Sequence, residues 1–239
     1  MIKLDILVIA AHPDDVELGS AGTVILQVRR GNKVGVIDLT RGEMGTRGTP
    51  EIRDAESAEA AKIMGLSLRG NMGFSDVFFS NDELHQLEII KRIRQYQPEI
   101  VITNAVKDRH PDHSRASELV SQACFMAGLR KIETVFEGEQ QQAWRPKVIY
   151  HFIQSTYVEP DFVMDISVTF DDKMKAIKAY KTQFYNPVAN ESETFISSPE
   201  FLKLMESRAI EFGKAIGVKY GEGFTVERFP GVSDLFDLI

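Results

Sequence analysis

Apolar runs and apolar stripes alternate through the first half of the chain. Ile6-Leu7-Val8-Ile9-Ala10 is a short run rich in branched side chains, the pattern of a strand buried on both faces. Val16, Leu18, Val24, Ile25 and Val28 then recur at helical spacing and predict a helix over 17–30, stopped at Gly31-Asn32. The alternation continues with a buried strand over 33–39 and a helix over 51–64, led by Pro50 and closed by Gly65. A weaker strand over 68–73, a helix over 82–96, a strand over 100–103 and a helix over 114–127 complete this half. Strand and helix in strict turn imply parallel strands with right-handed crossovers. The expected fold is α/β, a Rossmann-like, doubly wound, mostly parallel sheet. Patterning is less regular afterwards. Strands are expected over 148–154 and 162–166, and helices over 171–184 and 199–216. The polar stretches 137–143 and 186–198 read as loops, with Tyr185 and Asn186 as candidate pocket-rim residues. We expect a single domain over 1–239, with a core to about residue 170 and a C-terminal helical extension over about 171–239.

Composition narrows the class without changing the fold. With 239 residues, 43% hydrophobic and 26% charged, the chain has enough apolar material for one sizeable core. A net charge of −7 carries no basic footprint for nucleic acid. No apolar run approaches the roughly 20 residues of a membrane span, and the first residues lack a secretory pattern, so we read the chain as cytoplasmic. Cys124 is the only cysteine, which excludes an intramolecular disulfide and any cysteine-based zinc site.

The chemistry lies at strand ends. The first strand runs into His12-Pro13-Asp14-Asp15, and the strand over 100–103 runs into Asp108-Arg109-His110-Pro111-Asp112-His113. In a sheet ordered 3-2-1-4 these two strands are neighbours at the switch point, where open α/β sheets place ligands. Imidazole and carboxylate without thiolate suit zinc at a catalytic site with an open position. His12 and Asp15 can share one ion from a tight turn, and His113 or His110 would supply a third ligand. Nitrogen and oxygen donors also accommodate Fe²⁺ or cobalt. Asp14 then remains free as a general base. The competing reading has Asp14 or Asp15 merely capping the next helix, which would suit a non-catalytic binding module. Gly19-Ser20-Ala21-Gly22 falls inside a predicted helix and is not a dinucleotide fingerprint. His85 and His151 have no partner motif and read as structural.

Taken together, His12-Pro13-Asp14-Asp15 with Glu17, Arg41-Gly42-Glu43, Arg53 with Glu56, and His110-Pro111-Asp112-His113 resemble the LmbE/PIG-L family of zinc-dependent N-acetylglucosamine deacetylases. The segment 174–183, ending in Thr182-Gln183, resembles a later part of the family pattern. The resemblance implies one Zn²⁺ per chain on His12, Asp15 and His113, with Asp14 as general base. It implies His110 as general acid or oxyanion stabiliser, oriented by Asp112. Arg53 and Arg109 would grip a carboxylate of the substrate, and Glu43 would contact the sugar or shape its loop. Length and motif detail are similar to the branch acting on N-acetylglucosaminyl malate in bacillithiol biosynthesis, with chitobiose-type and mycothiol-type substrates as alternatives. A small-molecule sugar conjugate is the expected partner, and a homo-oligomer the expected assembly.

Overall fold

The computed structural model describes residues 2–185 and 192–238. Its elements in chain order are β1 (Ile6–Ala10), α1 (Asp15–Arg29), β2 (Val34–Thr40), α2 (Pro50–Met64), β3 (Leu68–Phe74), α3 (Glu83–Tyr96), β4 (Ile100–Thr103) and α4 (Pro111–Ala127). A small hairpin of β5 (Val135–Phe136) and β6 (Glu139–Gln140) follows. The chain then forms β7 (Val148–Phe152), β8 (Phe162–Asp165), α5 (Phe170–Lys178), α6 (Phe201–Ala215) and β9 (Gly221–Val226). The main sheet is ordered β3-β2-β1-β4-β7-β9-β8, so the expected 3-2-1-4 half stands. Strands β3, β2, β1, β4 and β7 pair in parallel, and β9 runs antiparallel to both neighbours. This is the doubly wound, mostly parallel sheet the patterning implied.

All five residues of β1 and all seven of β2 are buried, as strands covered by helices on both faces must be. Leu7, Ile9, Leu39, Ile90, Ile93 and Leu119 pack one face against α3 and α4. Ile6, Val8, Val24, Val36 and Phe152 pack the other against α1.

Three elements depart from expectation. Strand β9 is new: Gly221 and Gly223 break its apolar pattern, yet a Cβ on Gly223 would lie 2.9 Å from the Phe212 ring on α6. Close helix-on-strand packing therefore requires the glycine that hid the strand. Region 171–238 accordingly adds a central strand to the sheet as well as helices. Helix α5 stops at Lys178 instead of 184, because the chain turns so that Tyr180 is buried. Helix α4 starts at Pro111 rather than 114, with proline in the first turn and His110 as its N-cap. Asn186 lies outside the described residues.

Beside β2 and β3 sits a buried ionic network. Arg69 on β3 reaches Asp38 through Nε and Nη2, both at 2.9 Å, and Glu17 through Nη1 at 2.7 Å. The Tyr180 hydroxyl closes it, 3.1 Å from Arg69 Nη2 and 3.2 Å from Glu17 Oε1. Glu17 is thereby a structural tie. Arg69→Met should destabilise the protein by about 3–5 kcal/mol, because two buried carboxylates lose their counter-charge. Thermal denaturation checks this, and adding Asp38→Asn and Glu17→Gln should recover much of the loss.

Candidate active site

The carboxyl ends of β1, β2, β3, β4 and β7 surround a cleft of about 320 Å³, large enough for a small ligand. A larger groove of about 620 Å³ lies elsewhere, between α4 and the start of β7, with no converging histidines. The chemistry is in the smaller cleft.

Backbone polar groups set its frame. The Ala11 carbonyl accepts from the Thr40 hydroxyl at 3.0 Å, and the Ala11 N–H donates to Asn104 Oδ1 at 2.8 Å, so the ends of β1, β2 and β4 are tied together. Asn104 then turns its Nδ2 to Asp15 Oδ2 at 3.0 Å. Gln154, just past β7, donates to Asp15 Oδ1 at 2.9 Å, and the His12 N–H donates to Asp15 Oδ2 at 2.9 Å. Asp15 is thus fixed by three donors before any imidazole reaches it.

His12 and His113 approach that carboxylate from two sides. His113 Nε2 lies 3.0 Å from Asp15 Oδ1, and His12 Nδ1 lies 3.4 Å from Asp15 Oδ2. Each ring's other nitrogen meets a different carboxylate. His113 Nδ1 is 2.6 Å from Asp108 Oδ2; His12 Nε2 is 2.9 Å from Asp76 Oδ1 and 3.2 Å from Asp112 Oδ2. Burial works against protonation of both rings. Asp112, Asp15 and Asp76 nevertheless hold His12 well above the usual range, and Asp15 with Asp108 pushes His113 up to about 9. Burial likewise opposes ionisation of Asp15, and His113 and His12 overcome it.

The cluster fits a divalent ion. Its carboxylates draw positive charge onto the nitrogens that face Asp15. The 3.0 Å from His113 Nε2 to one Asp15 oxygen and the 3.4 Å from His12 Nδ1 to the other are each close to the roughly 3.4 Å that separates tetrahedral ligands bound at about 2.1 Å. A carboxylate behind each imidazole is the arrangement that fixes metal-ligating histidines. Among the described residues two groupings bring three ligating atoms within 4.8 Å of one another, His12 with His110 and His113, and His12 with Asp76 and Asp112; His12, Asp15 and His113 do not form a third.

Asp14 occupies the N-cap position of α1, but its side chain caps nothing. It has φ of 103°, left-handed backbone that a non-glycine residue adopts at a cost of about 1–3 kcal/mol. Burial pushes its carboxyl up to about 7 against the pull of Arg53. The capping alternative for Asp14 is therefore not what forms.

Arg53 lines the cleft and also braces it. It is buried, with Nη2 on the Pro13 carbonyl at 2.7 Å and on Asp14 Oδ2 at 3.3 Å, and Nη1 on the Gly42 carbonyl at 3.0 Å. Both ends of its fork hold the Asp14 turn and the glycine loop, while its buried Nε has no partner among the described residues and the residue lines the cleft. Gly42 has a positive φ of 66°, and a Cβ there would collide with Arg53 Nη1. Glu43 is not among the residues lining the cleft: its Oε1 accepts the Asp76 N–H at 2.7 Å, and Asp76 Oδ2 accepts the Met44 N–H at 3.0 Å. It shapes the loop, the other role expected of it.

Asp112 differs too. Its carboxylate faces His12, Val77 N–H and Arg115 rather than His110. Only its backbone N–H meets His110, donating to Nδ1 at 3.3 Å. That acceptor role places the proton of a neutral His110 on Nε2. Burial and the neighbouring rings of His12 and His113 lower the His110 pKa, which favours this neutral form. Arg109 lies at the cleft with its guanidinium 4.3 Å from the Phe195 ring centre, and among the described residues no carboxylate pairs with it.

Asp76, Asn104 and Gln154 were not singled out from sequence, and Asp108 had no assigned role. Asp76, Asn104 and Gln154 each stand alone past a strand end, so local spacing gives no signal for them.

Comparison with known proteins adds a second line of evidence. A family model described as "GlcNAc-PI de-N-acetylase" matches residues 7–124. A diacetylchitobiose deacetylase of Thermococcus kodakarensis is 27% identical over 95% of this chain and 84% of its own. A Bacillus subtilis protein described as "probable N-acetyl-alpha-D-glucosaminyl L-malate deacetylase 2" is 29% identical over 76% of this chain and 84% of its own. The crystal structure of a conserved protein of Thermus thermophilus superposes with a TM-score of 0.85 at 35% identity, covering 97% of this chain and 98% of that one.

Proposed function

Because this chain belongs to the PIG-L family of de-N-acetylases, we propose that it hydrolyses the acetamide of an N-acetylglucosamine conjugate with one divalent metal ion, zinc foremost. The observation that carries the reading is the convergence of His12, Asp15 and His113 beside Asp14 and His110 in one cleft. His12, Asp15 and His113 would hold the ion. Bound there, it supplies Lewis acidity, easing deprotonation of a water near neutral pH and polarising an amide carbonyl.

The chain's own groups supply the rest. Asp14, pushed up to about 7, accepts a proton from the attacking water. Arg53 steadies its carboxylate through Nη2. His110, neutral with its proton on Nε2, donates to the oxygen that gains charge as the carbonyl becomes tetrahedral. The departing sugar amine takes up a proton as the C–N bond breaks, returned from Asp14 or supplied by His110. Asp76, Asp108 and Asp112 hold the imidazoles throughout.

N-acetylglucosaminyl malate is the favoured substrate. Arg109 offers an exposed, carboxylate-free guanidinium at the cleft, which suits an anionic aglycone. Acetate release from the malate conjugate, from N,N'-diacetylchitobiose and from N-acetylglucosamine, with metal-stripped protein as control, tests the proposal. Metal-dependent release fastest from the malate conjugate is expected. Release fastest from chitobiose would move the substrate to that branch, and no release from any would overturn the deacetylase reading. Arg109→Ala should raise KM for the malate conjugate roughly 10- to 100-fold, the loss of one charge-assisted contact. The same variant should leave N-acetylglucosamine turnover unchanged; equal losses on both would remove Arg109 from carboxylate binding. Among the described residues no helix is long and apolar enough to cross a membrane.

A further inference from the structure

Helix α6 carries a charge where its apolar stripe calls for packing. Phe201, Met205, Ala209 and Phe212 are its buried side chains, and Arg208 shares their face at helical spacing from Met205 and Phe212. Its guanidinium lies 5.2 Å from the Tyr157 ring centre and 5.7 Å from that of Phe212, with Nε 3.3 Å from Glu211 Oε2. Its Nη1 is buried and has no partner among the described residues.

Gln154 has the complementary defect. It is 4% exposed; Nε2 donates to Asp15 Oδ1 at 2.9 Å, while Oε1 is buried and likewise without a partner. Both residues line one small cavity of about 20 Å³ behind the cleft. The charged groups on its other walls are already bonded. Lys173 Nζ donates to Glu222 Oε1 at 2.6 Å and to the Leu18 carbonyl at 2.8 Å, and Glu222 accepts the Gly22 and Thr23 N–H groups at 2.9 and 2.7 Å. A donor and an acceptor are thus left on the wall of a space the size of one water, which needs about 10–15 Å³ and two to four polar partners. A small anion fits less well, because it would accept from Arg208 but set negative charge against the Gln154 oxygen.

We propose that Arg208 is a positioning residue for the metal centre: one buried water accepts from Arg208 Nη1, donates to Gln154 Oε1 and so clamps the Gln154 amide onto Asp15. A buried amide oxygen left unpaired carries its full desolvation cost. Without the clamp, Gln154 is drawn toward another donor and Nε2 leaves Asp15. Asn104 and the His12 N–H both serve Oδ2, so Oδ1 would then keep only His113. The effect on zinc presupposes that His12, Asp15 and His113 hold the ion; the clamp itself does not.

Arg208→Met keeps an apolar stem on α6 and removes the donor, and Gln154→Met removes the acceptor. In zinc titrations of the full chain each should weaken Kd roughly 10-fold, the scale of a lost outer partner, and the double variant should match Gln154→Met within about twofold. An arginine that only packs α6 would leave zinc affinity at the wild-type value, or add its effect to that of Gln154→Met; either result overturns the proposal. Melting of the metal-free protein reads the clamp without zinc. Arg208→Met should lower Tm by about 2–4 °C more in the wild-type background than in Gln154→Met, where its stacking and its Glu211 contact are lost equally. Equal losses in both backgrounds overturn the clamp, whereas a wild type that binds no zinc defeats the metal reading and leaves the clamp to be decided by this difference. A crystal structure should show one water within hydrogen-bond distance of Arg208 Nη1 and Gln154 Oε1, and a dry cavity there overturns the proposal directly.

Discussion

Asp14→Asn should leave metal content unchanged and lower kcat by roughly two to four orders of magnitude, the usual worth of a positioned general base. The substitution keeps the side chain's shape, and asparagine tolerates left-handed backbone better than most residues. Its amide oxygen can still accept from Arg53 Nη2, which lies 3.3 Å from the native carboxylate. Only the capacity to take a proton goes. Metal analysis beside single-turnover acetate release checks it, and near-wild-type turnover would exclude Asp14 as the base. Asp14→Gly makes a sharper companion. It should lose the same activity yet gain about 1 kcal/mol of stability, because glycine holds φ of 103° without strain. A melting temperature that rises while turnover vanishes would show strain kept for chemistry.

His113→Ala should abolish stoichiometric zinc binding, weakening affinity beyond the roughly 10- to 100-fold typical when only an outer partner is lost. Asp108→Asn supplies that milder comparison, because Asp108 touches His113 Nδ1 and not the side facing Asp15. Removing the ring also strands Asp15 and Asp108, so the metal-free variant should lose about 3–5 kcal/mol relative to metal-free wild type. Zinc titration and denaturant unfolding read the two effects separately. Unchanged zinc content in His113→Ala would remove it from the ligand set.

The contrast between these residues and the ones missed from sequence has a physical basis. His12, Asp14 and Asp15 lie in one turn, and His110 and His113 in the first turn of α4, so short-range spacing and strand order were enough to bring them together. Asn104, Asp76 and Gln154 act across the sheet, each from a different strand end, and only the folded register tells which atoms they meet. Arg53 was recognisable as part of the site, but an arginine's reach covers many partners. Its assignment depended on where the Pro13 and Gly42 carbonyls point, a backbone detail no pattern of residue types encodes. Asp112 failed similarly: with α4 beginning at Pro111, its carboxylate swings toward His12 instead of its neighbour. Strand β9 was missed because its glycines serve packing against α6 at the expense of a readable apolar run.

The insertion of β9 between β7 and β8 has a consequence for how the protein is made. On a ribosome, β1 through β4 and every proposed metal ligand emerge early, followed by β7 and Gln154. Tyr150 of β7 pairs with Val226, so the second edge of β7 stays open until nearly the whole chain has been synthesised. Unpaired β7 is a buried-type strand with a bare edge, the kind that recruits other chains. Closing it is a long-range pairing and therefore slow. A chain stalled before Gly221 would carry all the proposed ligands on a frame still prone to aggregate. Chaperone dependence should thus peak late in translation, and truncation before β9 should cost solubility sooner than it costs the ligand set.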